Sequence, residues 1–126
     1  MKNEGNYVDG YVLVVPKKNL AAYTAMAKGG AKAWMKHGAL DYKECVIDDA
    51  KPMHVTLPFG KMVNAKPSEL VIFSYVVFKS RAHRDMVNKK VMADPLMNDP
   101  QWKDKPMPMD MKRMAYGGFK VIVDGK

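Results

Sequence analysis

The sequence predicts a ferredoxin-like α+β domain, in which two helices cover one face of a four-stranded antiparallel sheet. Its 126 residues match the size of one domain spanning residues 1–126, and 48% of them are hydrophobic, enough for a core. The predicted elements run β-α-β, a long connection, and β-α-β again. The strands are apolar on both faces, which indicates that the face away from the helices is also covered.

The first half of the chain predicts a strand, a helix and a second strand. Residues 7–15, YVDGYVLVV, are rich in β-branched and aromatic residues, and the proline after them ends this strand. We expect Asn19 to cap a helix whose apolar residues recur every three or four positions. Gly38 suits the left-handed conformation past the last turn. Residues 40–47, LDYKECVI, alternate in polarity and predict the second strand.

The second half repeats this order. Residues 70–78, LVIFSYVVF, predict the strongest strand of the chain. Ser80 then caps a helix that continues to about Ala93. The proline-containing residues 98–110 are expected to form a loop, and residues 114–123 the last strand.

The long connection and a glycine pair carry two further expectations. Residues 48–68 include MHVTLPFGKMV, which is too apolar to extend into water. We expect this segment to fold over the sheet edge or a partner, with a short strand of its own. Gly117 and Gly118, inside the last strand, predict a bulge or the close approach of another backbone.

The third strand carries the prediction of a homodimer. Its alternate residues form two apolar sets, Leu70, Ile72, Val76 and Phe78 on one face and Val71, Phe73, Tyr75 and Val77 on the other. Helices on one face leave the second set uncovered. Packing two such sheets face to face would give a two-fold symmetric dimer.

Charge and cysteine content exclude several classes of protein. The net charge of +8 would suit nucleic acid, but the lysines are spread without a run of like charge, so a solvated surface is favoured. The single cysteine, Cys45, excludes an internal disulfide and a cysteine-based zinc site. The polar N-terminal segment and the short apolar runs predict a cytoplasmic protein without a membrane anchor.

The segment SRAHRDMVNKKVMADP, residues 80–95, offers His83 as a candidate acid or base in the first turn of the second helix. The alternative is a surface or packing histidine that bonds a nearby backbone group. The other charges of the segment are interpreted as a solvated helix face. Tyr75 is close in sequence, and we expect it to form an aromatic wall of the same cavity.

Acidic residues within apolar strands form a second candidate set. Asp9 lies between tyrosines that include Tyr11 on one strand face, and Tyr42 with Glu44 repeats the pattern in the second strand. Buried acids are costly unless they are paired. They either pair with Arg113 or line a polar pocket in which Glu44 is a candidate base.

A metal site is not expected. The methionine cluster consists of Met107, Met109, Met111 and Met114. Thioethers bind copper(I), but methionines spread through a whole chain are more typical of core packing. His37 and His54 lack partners at metal-binding spacing, and no cofactor motif is present.

Four segments, YVDGYVLVVPKKNLAAY, HGALDYKECV, VIFSYVVFKSRAHRDMVNKKVMADP and KRMAYGGFKV, resemble the YbaA-like proteins, a bacterial family of unknown function. The resemblance implies a ferredoxin-like, dimeric α/β-barrel fold. That superfamily includes cofactor-independent monooxygenases and haem-degrading enzymes, which bind a planar ligand between helices and sheet. Haem degradation is not expected, because Tyr75 and Asp9 occur where a tryptophan and an asparagine would be needed.

The sequence thus predicts small-molecule binding in a helix–sheet cavity, with monooxygenase-like or isomerase-like chemistry that needs no cofactor. The alternatives are a non-catalytic homodimeric regulatory or interaction protein, and a nucleic-acid-binding protein. The candidate catalytic residues are His83 and Tyr75, and the candidate ligand-binding residues are Asp9, Tyr11, Tyr42, Glu44 and Arg113.

Overall fold

The computed structural model describes residues 5–98 and 105–126, so residues 99–104 of the predicted loop lie outside the described part. The strands are β1 (Tyr7–Pro16), β2 (Asp41–Val46), β3 (Glu69–Phe78) and β4 (Ala115–Lys120), and the helices are α1 (Leu20–Lys36), α2 (Phe59–Met62) and α3 (Arg81–Met92). The strands form one sheet in the order β2-β3-β1-β4. Each neighbouring pair is antiparallel, which confirms the ferredoxin-like prediction.

Both long helices pack on one face of the sheet, as predicted; we call it the helix-covered face. Ala33 of α1 and Val87 and Val91 of α3 contact Val76 and Phe78 of β3, and all five side chains are buried. Burying a valine or phenylalanine side chain stabilises a fold by about 1.5–3 kcal/mol. This cluster therefore holds α1, α3 and the sheet together.

The signals at the helix ends are partly confirmed. The hydroxyl of Ser80 accepts a hydrogen bond of 3.0 Å from the backbone N–H of His83, so Ser80 caps α3 as predicted. Gly38, past the end of α1, has a φ of 113°, in the region that favours glycine.

The predicted cap of α1 is wrong. A short 3₁₀ turn, Lys17–Asn19, leads into the helix, and the Asn19 side chain makes no cap hydrogen bond. Its amide nitrogen instead donates to the carbonyl of Pro108 over 3.2 Å. The asparagine is used to join the start of α1 to the segment before β4.

The long connection forms a short helix, α2, and not the short strand that we expected. Val63, just after α2, is buried with Val14 and Val71 on the face away from α1 and α3, which we call the open face. The ring of Phe59 lies 6.2 Å from that of Phe73. The apolar part of the connection thus covers one end of the open face.

The glycine pair in β4 does not form a bulge. Gly10 pairs with Gly117 and Asp9 with Gly118 in a continuous ladder. What approaches these glycines is a side chain and not another backbone, since a Cβ at Gly117 would lie 3.1 Å from the ring of Phe119. The absence of a side chain lets Phe119 lie across the open face.

The open face stays apolar beyond the reach of α2. Phe73 is 43% exposed and Phe119 is 60% exposed, and Tyr75 lies 6.0 Å from Phe73, ring to ring. The two-faced apolar character predicted for β3 is confirmed, while the dimer stays a prediction. Among the described residues, no helix has the length and hydropathy needed to cross a membrane.

Candidate functional site

A row of polar side chains crosses all four strands on the helix-covered face. Glu44 of β2 lies opposite Ser74 of β3, which lies opposite Tyr11 of β1. Tyr11 in turn lies opposite Tyr116 of β4. Directly opposed residues of antiparallel strands project to the same face, so these four residues form one line, the polar row.

At the β2 end of the row, two phenols hold one carboxylate. The hydroxyl of Tyr23 donates to Glu44 Oε1 over 2.6 Å, and that of Tyr42 donates to Oε2 over 2.7 Å. We call these three residues the Glu44 centre. Burial, and then the hydrogen bond to Glu44, raises the pKa of both tyrosines, so both hydroxyls stay protonated. Gly30 makes room for them, since a Cβ there would lie 3.2 Å from the Tyr42 hydroxyl.

A groove between α1 and β2 opens onto the Glu44 centre. Its volume is about 300 Å³. The apolar part of its lining consists of Leu20, Ala27, Ala31, Val46 and Ile72. Glu44 is among the polar residues that reach it, together with both tyrosines of the centre. An apolar cleft with a few converging polar groups is the usual form of a small-molecule site.

At the β1–β4 end, a second carboxylate lies against an arginine. Asp9 is fully buried at 0% exposure, and its Oδ1 lies 2.7 Å from Arg84 Nη1. The hydroxyl of Tyr116 donates to the same oxygen over 3.0 Å and accepts from Arg84 Nη1 over 2.5 Å. We call these three residues the Asp9 centre. Asp9 Oδ2 is buried without a hydrogen-bond partner in the described part of the chain.

Arg84 is held in this position from several sides. It is 12% exposed, and its Nε lies 2.7 Å from Asp85 Oδ1. Its guanidinium lies 5.1 Å from the ring centroid of Tyr7, a cation–π contact. A Cβ at Gly118 would press on the Tyr7 hydroxyl and lie 3.0 Å from Arg84 Nη1. Glycine at this position is therefore what lets the arginine reach Asp9.

Tyr11 lies between the two centres. Its ring centroid is 4.9 Å from that of Tyr116. Burial raises the pKa of Tyr11, and the negative charge of Asp9 raises it further, with Glu44 contributing less. The Tyr11 hydroxyl therefore stays protonated.

The structure brings together four of the ligand-binding residues predicted from sequence. Asp9 and Tyr11 of β1 share the helix-covered face with Tyr42 and Glu44 of β2, and the two pairs lie level with each other on either side of β3. Their shared face follows from the two-residue period of strands, which is visible in the sequence.

Arg113 does not join this group, so the prediction that it pairs with the strand acids is wrong. Its Nη1 and Nη2 donate to both carboxylate oxygens of Glu69, over 2.8 and 2.7 Å. Its Nε donates to Asp110 over 2.7 Å. Arg113 precedes β4, whereas the residue opposite Asp9 is Gly118, farther along that strand. The arginine therefore joins the start of β3 to the segment before β4.

His83 and Tyr75 do not share a cavity, contrary to our expectation. Tyr75 projects to the open face, opposite Gly10. His83 Nδ1 accepts from the backbone N–H of Lys79 over 2.9 Å. Its ring packs edge-on against that of Phe78, with 5.9 Å between the ring centroids. Burial, and then the charge of Lys79, lowers the pKa of His83. Their catalytic assignment stays a prediction, and the geometry lends it no support.

The sequence interpretation missed Arg84, Tyr23 and Tyr116 as parts of the site. Arg84 was assigned to a solvated helix face. The signal that would have found it is its spacing, because it precedes the buried Val87 by three residues and Val91 by seven. Tyr23 lies on the predicted apolar face of α1, where a hydroxyl also needs a partner.

Metal ligation has no support in the described residues, which contain no group of three or more His, Cys, Asp or Glu able to hold an ion. Met109 and Met114 pack against a core cluster that includes Leu13. His37 Nε2 lies 2.6 Å from the buried Asp94, which ties the end of α1 to the end of α3.

Fold and polar row together define a ferredoxin-like α+β protein with two carboxylate centres beneath its helices. Residues 6–111 match the family described as "Protein of unknown function (DUF1428)". The chain is 41% identical over 118 residues to the uncharacterized protein YbaA of Escherichia coli K12, of Escherichia coli O157:H7 and of Shigella flexneri, covering 94% of this chain and 97% of each relative. The chain belongs to this bacterial family, which confirms the resemblance to YbaA-like proteins.

Proposed function

We propose that the protein binds a small molecule in the groove between α1 and β2, with Glu44 as the acceptor for a polar group of the ligand. The observation that carries the proposal is a carboxylate in the lining of a largely apolar groove. Its volume of about 300 Å³ suits a ligand of about one or two rings.

The Glu44 centre sets the polar chemistry of the ligand. A carboxylate has about four acceptor positions, and the two tyrosines use two of them. A hydroxyl or amino group of a ligand would occupy a remaining position. An apolar ring carrying such a donor would match both the apolar and the polar lining of the groove.

The reaction that best suits this centre is isomerase-like proton transfer. Glu44 would take a proton from a carbon next to a ligand carbonyl and return it at another atom, with no net oxidation. In the structure Tyr23 and Tyr42 each give their single O–H to Glu44. Once Glu44 has taken the proton it needs these donors less, and one hydroxyl would turn to the ligand oxygen and stabilise the negative charge that develops. Monooxygenase-like chemistry is the rival, in which O₂ would be consumed and the substrate oxidised.

A matched pair of variants tests the binding site. NMR screening of aromatic and quinone-like compounds with hydroxyl or amino groups should yield ligands that shift resonances of α1 and β2. Glu44→Gln should abolish their binding while the fold is kept. Asp41→Asn, which removes a carboxylate of β2 on the open face, should leave binding unchanged. Equal binding by Glu44→Gln and the wild type would contradict the proposal.

The reaction class is tested with the ligands so found. Proton transfer predicts that a bound carbonyl compound exchanges a carbon-bound hydrogen for deuterium in D₂O, and that Glu44→Gln stops the exchange. An oxygen electrode distinguishes the rival, because monooxygenase-like turnover would consume O₂ in step with substrate loss.

We also propose that two copies associate through their open faces, and a non-catalytic role of that dimer is the second candidate function. The exposed rings of Phe73 and Phe119 support it, since water contact with such a surface is unfavourable. Sedimentation should give twice the 14.2 kDa chain mass. Phe73→Asp should yield a folded monomer, whereas Ile72→Asp, in the buried layer beneath the helices, should unfold the chain.

A further inference from the structure

A second cavity, of about 600 Å³, lies at the end of the sheet where α3 begins. Its lining includes Tyr7 of β1, Gly118 and Lys120 of β4, and Lys79 and Arg81 on either side of the α3 cap. It shares no lining residue with the groove at Glu44. Whatever it binds is therefore independent of the function proposed above.

The described lining of this cavity carries positive charge. Lys79, Arg81 and Lys120 line it, and no Asp or Glu does among the residues that the structure describes. None of these three makes a salt bridge within residues 5–98 and 105–126, whereas Lys43, Arg84 and Arg113 each do. Three like charges around one concavity repel one another, so the apo state would gain from a bound anion.

Gly118 lines the cavity, and its lack of a side chain leaves space there. A Cβ at Gly118 would press on the Tyr7 hydroxyl and approach Arg84 Nη1 to 3.0 Å. Because Gly118 has no Cβ, the hydroxyl of Tyr7, which lines the cavity, can donate a hydrogen bond to a ligand. Arg84 approaches Gly118 but is not among the described lining residues, and its own charge is already balanced by Asp9 and Asp85. The three peripheral cations thus remain for a ligand.

We propose that this cavity binds a small molecule bearing a multivalent anionic group, a phosphate or a set of carboxylates. Lysine and arginine donate charge-assisted hydrogen bonds to either group. The volume of about 600 Å³ exceeds the needs of an inorganic anion and leaves room for an organic part. A nucleic acid would need a basic groove that follows its backbone, whereas these cations surround a single concavity.

An NMR titration with inorganic pyrophosphate, and in parallel with citrate, tests the site and identifies the anion. Saturable shifts should centre on the amides of residues 79–81 and 118–120. The double variant Lys79→Ala/Arg81→Ala should bind the preferred anion about tenfold more weakly. The matched control Lys89→Ala/Lys90→Ala, two exposed lysines near the other end of α3, should bind it as the wild type does.

Preference for pyrophosphate would assign a phosphate ligand, and preference for citrate a polycarboxylate. The proposal fails if neither anion gives saturable shifts, or if both double variants lose affinity equally, because the effect would then be general surface charge. It also fails if a single-stranded or duplex oligonucleotide binds more tightly than either anion at physiological salt. Weak oligonucleotide binding that disappears as salt is raised is the expected result.

Discussion

Asp9 and Glu44 are both carboxylates on the helix-covered face, yet their surroundings differ in kind. Asp9 lies fully buried against a guanidinium, and one of its oxygens has no hydrogen-bond partner among the described residues. Glu44 accepts from two neutral phenols in the lining of a groove. A carboxylate neutralised by an arginine serves chiefly to hold elements together. One that is held by neutral donors has acceptor positions left for a ligand.

The largest expected effect comes from breaking the Asp9 centre. Asp9→Asn should lower the free energy of unfolding by about 3 kcal/mol, because the largely buried guanidinium of Arg84 loses its buried counter-charge and keeps only the exposed Asp85. Urea denaturation measures this change. Asp41→Asn, which removes an exposed partner of Lys43, is the control and should change stability by less than about 1 kcal/mol. A loss below about 1 kcal/mol for Asp9→Asn would mean that Asp9 is no more important for stability than Glu44.

A double-mutant cycle sharpens the assignment of that loss. Asp9→Asn and Arg84→Gln should each destabilise the fold, and the double variant should be less destabilised than their sum by at least about 1 kcal/mol. The reason is that the second substitution removes a charge that the first has already left unpaired. Additive losses would place the effect of Asp9 elsewhere, for example in its contact with Tyr116.

A third carboxylate, Glu69, is paired with Arg113 near the surface. Its pairing predicts how the stability of the fold changes with pH. The hydrogen bond from Arg113, and then that from the backbone of Lys66, lowers the pKa of Glu69 from 4.5 to about 2. Because the folded-state pKa is depressed, this stabilisation is present above pH 4.5 and is lost as the pH falls toward 2. The melting temperature of the wild type should fall over that window. Glu69→Gln should melt lower at neutral pH and show a flatter profile.

Glu44→Gln should cost only about 1 kcal/mol, since a neutral amide can still bond both tyrosines. Circular dichroism melting measures the stability, and the ligand titration described above measures the function. The critical result is that Glu44→Gln should lower the free energy of unfolding much less than Asp9→Asn does. A Glu44 variant that unfolds would show that this carboxylate, too, is structural.

The smallest effect is expected at His83. His83→Ala removes the acceptor for the Lys79 backbone N–H and the edge contact with Phe78, and should cost less than about 1 kcal/mol. Ligand binding in the Glu44 groove should be unchanged. Loss of binding in a folded His83→Ala protein would restore the catalytic assignment that the geometry does not support.

The sequence was sufficient for part of the candidate site. Asp9 and Tyr11 are two residues apart in one strand, as are Tyr42 and Glu44 in another, so their shared faces follow from strand geometry. It was not sufficient for their partners. Arg113 and Arg84 were both available, and choosing between them requires knowing which end of β4 faces Asp9 and how α3 is rotated.

By itself, the sequence determined the order of the four strands and the two long helices, the Ser80 cap, the apolar character of both sheet faces and the positions of the strand acids. These depend on local periods and on neighbours a few residues apart. Only the tertiary structure decided that Asp9 meets Arg84, 75 residues away, while Glu44 meets two phenols at a groove. The physical reason is that such contacts depend on strand order, register and helix rotation, which the packing of the whole chain sets together.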